Sequence, residues 1–450
     1  MRVFSSSDEG NPLVQQMPNF VDYVTSTSFM NLFMNNDSKT LDFVIAHFDQ
    51  IMQLGFRTVN GKKNLVTPCL QIIRNIRYPF LTDVYQKTNL ASFLTNYPIH
   101  CRAFSNASHH IYFLLLPNYI YTQTRRLMSP FSTDEFFSSI IQVCDLFPAN
   151  EFLRQTISTA GARTLSIFDQ ISFCPRLTQC LFYTELAIPA IEILTLGLAN
   201  GLQYQVVDAL MQNQILQNLI ELSMKSKTPE YFGFLRSVFQ ISQKNPSFYK
   251  AKQLSQKIAE YKDEFCSIVL RLRLFTRISE VAAYLVIDII EFDHAITDPF
   301  IEMTRRLVID FFDFPAHTFL HQTVLSLFRM LLKTGHLTPS IISRSGLPMK
   351  LVDAYDRREG EIGVSFWAET RELAEIVNMF GITQFGITQD VWRKKVMNRV
   401  NAEMAIIQKD YGGYTPRISC NGSILDLLLS FIVIFVTFLG IMWVFRKRIQ

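Results

Sequence analysis

Strand-type alternation of apolar and polar residues is nearly absent from this 450-residue chain, which removes sandwich, barrel and doubly wound architectures. Phosphate-cradling loops are missing too. The 17 glycines form neither GxGxxG nor GxxxxGK followed by Ser or Thr, so no segment is built to wrap backbone N–H groups around a nucleotide. No GxSxG nucleophile elbow occurs, and Ser343-Arg344-Ser345-Gly346 reads as a loop between helices. The 7 cysteines (Cys69, Cys101, Cys144, Cys174, Cys180, Cys266, Cys420) show no CxxC and no His-paired spacing. That pattern matches no zinc site and suits reduced, buried thiols.

Charge of one sign is also scarce. The formal charge of +4 includes three cations at Arg446, Lys447 and Arg448, so the remainder is close to neutral and nucleic acid is not an expected partner. His109-His110 is an adjacent pair, and neighbours on a helix point about 100° apart, which cannot chelate one metal. Asp293-His294 with Asp298 is the one local acid–His cluster, placed before Pro299 where capping residues collect. Ser5-Ser6-Ser7-Asp8-Glu9 reads as a solvated tail. No catalytic, cofactor or metal residue is expected, and no enzyme.

What is present is helical periodicity, in a chain that is 48% hydrophobic with 39 Phe. From Phe319 to Lys333, Leu320, Val324, Leu327, Phe328 and Leu331 recur on one face, while His321, Gln322, Ser326, Arg329 and Lys333 take the other. Thr318 suits its N-cap and Gly335 its C′ position. Met303–Phe314 places Met303, Leu307, Val308, Phe311 and Phe312 together and stops at Pro315. Gln205–Met211 and Ile215–Met224 form another pair across Gln212-Asn213-Gln214. Glu135–Phe147, Asn150–Phe173, Leu181–Gly197, Tyr231–Gln243 and Phe265–Phe292 fit further units, whereas Lys225–Glu230 and Ser242–Lys262 read as loops. Helix pairs of roughly 40 residues indicate an all-α, irregular armadillo- or HEAT-like solenoid; a compact helical bundle is the alternative. Such a surface suits protein partners.

The end of the chain is different. Leu427–Phe445 is apolar apart from Ser430, Thr437 and Gly440 and would reach about 28 Å as a helix, one hydrocarbon core. Leu427, Phe431, Ile434, Phe438 and Trp443 would face lipid and the interface, with Arg446, Lys447 and Arg448 in the headgroups. With no apolar h-region at the start, the expectation is a single-pass, tail-anchored protein with a cytosolic N-terminal domain. Mitochondrial outer membrane, peroxisome and endoplasmic reticulum stay open. The sequons at Asn36, Asn106 and Asn421 would matter only for the opposite orientation. The organisation expected is a flexible N-terminus over 1–20, a helical-repeat domain over 21–410, a juxtamembrane linker over 411–423, the anchor over 424–445 and a basic tip over 446–450. Near the joint, Arg393, Lys394, Lys395, Arg399 and Lys409 mark a basic final helix from Asp390 to Asp410.

One phrase carries a family likeness. Arg306-Leu307-Val308-Ile309-Asp310-Phe311-Phe312-Asp313-Phe314-Pro315, then Phe319-Leu320-His321-Gln322-Thr323-Val324, resembles the SAPS phosphatase-associated family, in which an aromatic-acidic helix end precedes a Leu-His pair. Leu347–Tyr355 and Glu372–Asn378 are similar to that family's closing helices, and Phe152–Phe168 to a mid-domain pair. The likeness is spread over residues 60 to 380 and rests on apolar phrasing. It implies a non-catalytic, armadillo-like regulatory subunit that binds a Ser/Thr phosphatase catalytic subunit and directs where it works. Members of the family are soluble, unlike a chain with an anchor, so phosphatase contacts are not carried over to individual residues. The alternative is a tail-anchored tether or trafficking adaptor that binds other proteins.

Overall fold

The computed structural model describes residues 26–56, 133–226, 228–245, 247–357 and 366–407, with single positions at 20, 23, 24, 69, 71 and 72. Every regular element among the described residues is helical. The first are α1 (Thr27–Met34), α2 (Ser38–Ala46) and α3 (Phe48–Phe56). Ser26 and Asp37 cap the first two by accepting from the N–H groups of Phe29 and Thr40.

Next come α4 (Asp134–Ile141), α5 (Phe147–Ser158), α6 (Ala162–Gln170), α7 (Phe173–Cys180), α8 (Ala187–Ala199), α9 (Gln203–Leu210) and α10 (Ile215–Ser226). They are followed by α11 (Pro229–Lys244), α12 (Tyr249–Ala259), α13 (Lys262–Arg271), α14 (Arg277–Asp293), α15 (Asp298–Asp313) and α16 (Thr318–Lys333). The last are α17 (Pro339–Ser345), α18 (Leu347–Arg357), α19 (Trp367–Asn378), a 3-10 turn (Ile382–Phe385), α20 (Gln389–Trp392), a π-helical turn (Arg393–Met397) and α21 (Asn398–Ile407).

The described residues form two compact units: those up to Leu307 with Ser326–His336, and Val308–Leu325 with those from Leu337 onward. In the first unit, α5 packs on α8, α8 on α11, and α11 on α14, so every third helix meets the next. A second file runs through α4, α7, α9 and α12. The third helices start at residues 147, 187, 229 and 277, intervals of 40, 42 and 48. This is a three-helix repeat with loops of unequal length.

The reason is visible in α14, where Val281, Ala282, Ala283, Leu285, Val286, Ile287, Ile289 and Ile290 are all buried. A helix apolar on most of its circumference must be covered on several sides. Small Ala282 and Ala283 lie at positions with no exposure at all. Each large aliphatic side chain buried this way contributes about 1.5–3 kcal/mol before chain entropy is set against it.

Several elements follow the sequence reading. α15 ends at Asp313, two residues before Pro315. α16 ends in a Schellman motif, with Gly335 at φ +73°, His336 N–H on Leu331 O at 2.9 Å and Gly335 N–H on Leu332 O at 3.1 Å. Its N-terminal bond, however, is made by His317, whose Nδ1 accepts from the N–H of Leu320 at 3.3 Å, with Thr318 already helical.

Other elements correct that reading. Phe265–Phe292 is two helices, because Leu272 is extended and Thr276 with Ser279 opens α14 as a capping box. Asn150–Phe173 is likewise interrupted, at Gly161 and again before α7. Ser242–Lys262 is not a loop: it contains α12, which buries Ala251, Leu254, Ser255 and Ile258. Ser343-Arg344-Ser345 belongs to α17, and Gly346 at φ +74° ends it.

In the second unit α18 packs on α17, on α19 and on the π turn. Aromatic rings gather there: Phe366 lies 5.7 Å from Phe311, 5.4 Å from His321 and 5.0 Å from Trp367. His321, expected on the polar face of α16, is buried at 2% exposure. Its Nε2 bonds the carbonyl of Phe314 at 3.1 Å, which lets an imidazole occupy the core without an orphaned polar atom. Burial holds its pKa below the ordinary 6.5, against the carbonyl bond, which acts the other way.

Candidate partner-docking surface

Each third helix of the repeat has neighbours on most sides, so only one stripe of it stays open. On α5 the stripe includes Glu151, Arg154 and Gln155; on α8, Ile188, Glu192 and Thr195. On α11 it is Gly233, Arg236, Ser237 and Gln240, and on α14 Tyr284, Asp288 and Glu291. Positions separated by three or four residues fall on one helix face, which is why each stripe is narrow.

The stripes follow one another as a lane within the first unit, and side chains pair across it at two steps, α5 to α8 and α11 to α14. Asn150 Nδ2 donates to Glu192 Oε2 at 3.4 Å, and Arg154 Nη1 lies 3.6 Å from the same oxygen. Arg236 Nε donates to Asp288 Oδ2 at 2.7 Å, Gln240 Nε2 donates to it at 2.8 Å, and the guanidinium sits 4.6 Å above the Tyr284 ring. Lys333 Nζ donates to Glu291 Oε1 at 2.7 Å. Asp288 is 16% exposed and Arg236 32%, so this pair is partly desolvated and its geometry held by more than charge. The lane presents fixed donors and acceptors on rigid helices.

The acid–His cluster resolves into a helix-end lock. Asp293 accepts from Lys262 Nζ at 2.7 Å, and the same ammonium donates to Ala295 O at 2.6 Å. His294 occupies the left-handed C-cap of α14 at φ +57°, and Thr297 Oγ1 donates to Asp263 Oδ1 at 2.6 Å. Lys262, almost fully buried, was not singled out by sequence, because its partner is 31 residues away. Arg236 and Asp288, 52 residues apart, escaped for the same reason.

Cys69, Cys144, Cys174, Cys180 and Cys266 are free and buried, as expected. Burial pushes the thiols of Cys69, Cys174 and Cys266 up to about 12 and that of Cys180 to about 11, so none is a thiolate at neutral pH. Among the described residues no group of three His, Cys, Asp or Glu is placed to hold a metal ion. No helix among them is long and apolar enough to cross a membrane. Leu427, Phe431, Ile434, Phe438, Trp443, Arg446, Lys447 and Arg448 lie outside the described residues, as do His109-His110, Cys101 and Cys420.

No known family model matches the chain, and no curated protein matches it. Among solved structures that do match is a crystal structure of SYS-1 at 2.6 Å resolution, with 12% identity and a TM-score of 0.38 over 86% of this chain and 81% of that one. A likeness at that TM-score carries no argument.

Proposed function

We propose that this chain is a non-catalytic, armadillo-like scaffold, tethered to a membrane by residues 424–445, that holds a Ser/Thr protein phosphatase catalytic subunit and fixes where it acts. The observation that supports a scaffold most strongly is the lane of open stripes from Glu151 to Glu291, with polar side chains paired between α5 and α8 and between α11 and α14. Preorganised side chains lose little entropy when a partner docks. The phosphatase as partner is supported by the SAPS-like phrasing of Arg306–Val324. The tether is supported by the apolar run Leu427–Phe445, and it would raise the local concentration of a bound enzyme near membrane substrates.

The test is affinity purification of the tagged full-length chain beside an Arg154→Ala/Glu192→Ala variant, with bound proteins identified by mass spectrometry. Recovery of a Ser/Thr phosphatase catalytic subunit with the parent, and at least tenfold less with the variant, supports the scaffold. Recovery of coat or vesicle proteins in its place favours a trafficking tether and ends the phosphatase reading. Equal recovery from parent and variant removes the lane as the docking surface.

A further inference from the structure

In the first unit α9 and α12, neighbours in the second file, bring aromatic rings and lysines to one exposed place. The ring of Tyr204 on α9 meets that of Phe248, the N-cap of α12, edge to face at 5.0 Å. One turn further along α9, Asp208 Oδ1 lies 2.9 Å from Lys250 Nζ, so the two helices are joined at two successive levels. Tyr249 sits between Phe248 and Lys250 in the chain, and its hydroxyl accepts from Gln253 Nε2 at 2.7 Å. That bond, from a residue one turn on, holds the ring along the helix. Tyr204 is 46% exposed and Tyr249 70%, which leaves an apolar patch open to solvent.

The charges around the rings do not cancel. Lys250 is answered by Asp208, and Lys257 has Glu260 three residues on, the spacing at which helical neighbours meet. Lys244, which ends α11, and Lys252 have no acidic residue at such spacings and no ion-pair partner among the described residues. Phe248 N–H donates to Asn245 O at 3.1 Å and Lys252 N–H to Phe248 O at 3.2 Å, so Lys252 and the residue after Lys244 are each one turn from Phe248. Setting Asp208 and Glu260 against Lys244, Lys250, Lys252 and Lys257 leaves two positive charges beside the rings.

We infer that Tyr204, Phe248, Tyr249, Lys244 and Lys252 form a docking surface for an acidic peptide segment of another protein, with an apolar side chain on the rings and carboxylates on the two lysines. The magnitudes favour this occupant. Two uncompensated lysines match two carboxylates, whereas nucleic-acid binding commonly neutralises about 6–10 phosphates. A bilayer calls for apolar side chains that sink into it, and the Tyr249 ring is tied to Gln253. The surface uses other helices than the lane, so it goes beyond the phosphatase reading and does not rest on it.

The probe is a fluorescent peptide in which Asp and Glu flank a central Phe-Leu pair, titrated with the full chain in neutral detergent and read by anisotropy. Saturable binding should weaken about tenfold in Lys244→Glu/Lys252→Glu and about threefold or more in Tyr204→Ala. It should not change in Lys394→Glu, which reverses an exposed lysine of the second unit, and thermal unfolding should be the same in all of them. A peptide with Lys and Arg in place of the acids should not bind. Affinity that survives the lysine reversal or the loss of the Tyr204 ring overturns the surface, as does the absence of saturable binding. Displacement of the peptide by oligothymidylate or by phosphatidylserine micelles, at a lower concentration of charge than by unlabelled peptide, overturns the assignment to a protein partner.

Discussion

In the first unit a helix meets the third helix after it at successive steps, whereas the second unit redirects its chain with the 3-10 turn at Ile382–Phe385 and the π turn at Arg393–Met397. The two regions solve the same problem differently. Where the pattern repeats, each inner third helix has a third helix on either side, and its open positions fall on one stripe. Where it does not repeat, polar groups near the core are paired singly, His321 with Phe314 O, Trp392 with Asn378 and Arg399 with Tyr355 O, as Lys262 is with Asp293 in the first unit. Repetition yields a row of similar open stripes, which the second unit lacks.

The largest expected effect breaks the repeat from within. Phe232 on α11 has no exposure and meets Phe265 edge-on at 6.0 Å. Phe232→Ala should cost about 3–5 kcal/mol, the range for emptying an aromatic core position, read as a lower urea midpoint at constant slope. A cost below about 1 kcal/mol would mean that the Phe232 ring does not hold α11 against α13.

Second in size is the lock between α13 and the end of α14. Lys262→Met keeps the stem but removes bonds to Asp293 and Ala295 O. Asp293, 23% exposed, is then left as a partly buried carboxylate without its cation, at a cost of about 1–3 kcal/mol. Adding Asp293→Asn should restore a good part of the loss. If the double variant is no better than the single, the ammonium is held by the carbonyl and the carboxylate is incidental.

Acid should then separate the two units' strategies. Burial depresses the folded pKa of His321 below the ordinary 6.5, so the neutral imidazole is the form the fold accepts. Stability from this group is full above about 6.5 and falls as pH drops from there toward the folded value, since the unfolded chain takes up the proton first. His321→Gln should flatten that part of the pH–stability curve while lowering stability at pH 8. A parent and variant with parallel curves between pH 7 and 5 would show that His321 is not the titrating group.

These contrasts also define what the sequence could reveal. α16 was legible to its last turn, because its apolar spacing and the glycine after it are local signals. α12 was hidden, since its inward face uses Ala251 and Ser255 beside Leu254 and Ile258, too weak a contrast with its lysines and glutamines. His321 was misplaced because a polar residue reads as outward until its acceptor, seven residues back, is known. The lane was invisible for a deeper reason. Arg236 and Asp288 are ordinary charges on two helices, and only the three-helix interval, blurred by loops of unequal length, brings them together. A family phrase built on apolar residues could say nothing about those pairings.

The smallest effect on stability is the most informative about function. Arg154 and Glu192 are 46% and 49% exposed and 3.6 Å apart, a pair of the kind worth less than about 1 kcal/mol in water. Arg154→Ala should therefore shift the urea midpoint by an amount equivalent to about 0.5 kcal/mol or less. The same substitution removes a side chain from the first rung of the lane, where a docked partner would exclude water and make the loss larger. If partner recovery falls sharply while the midpoint barely moves, binding and folding are separable at this position, as a recognition surface requires. If the midpoint falls by several times that amount, Arg154 is a structural strut between α5 and α8, and the repeat uses its open stripe to hold itself together.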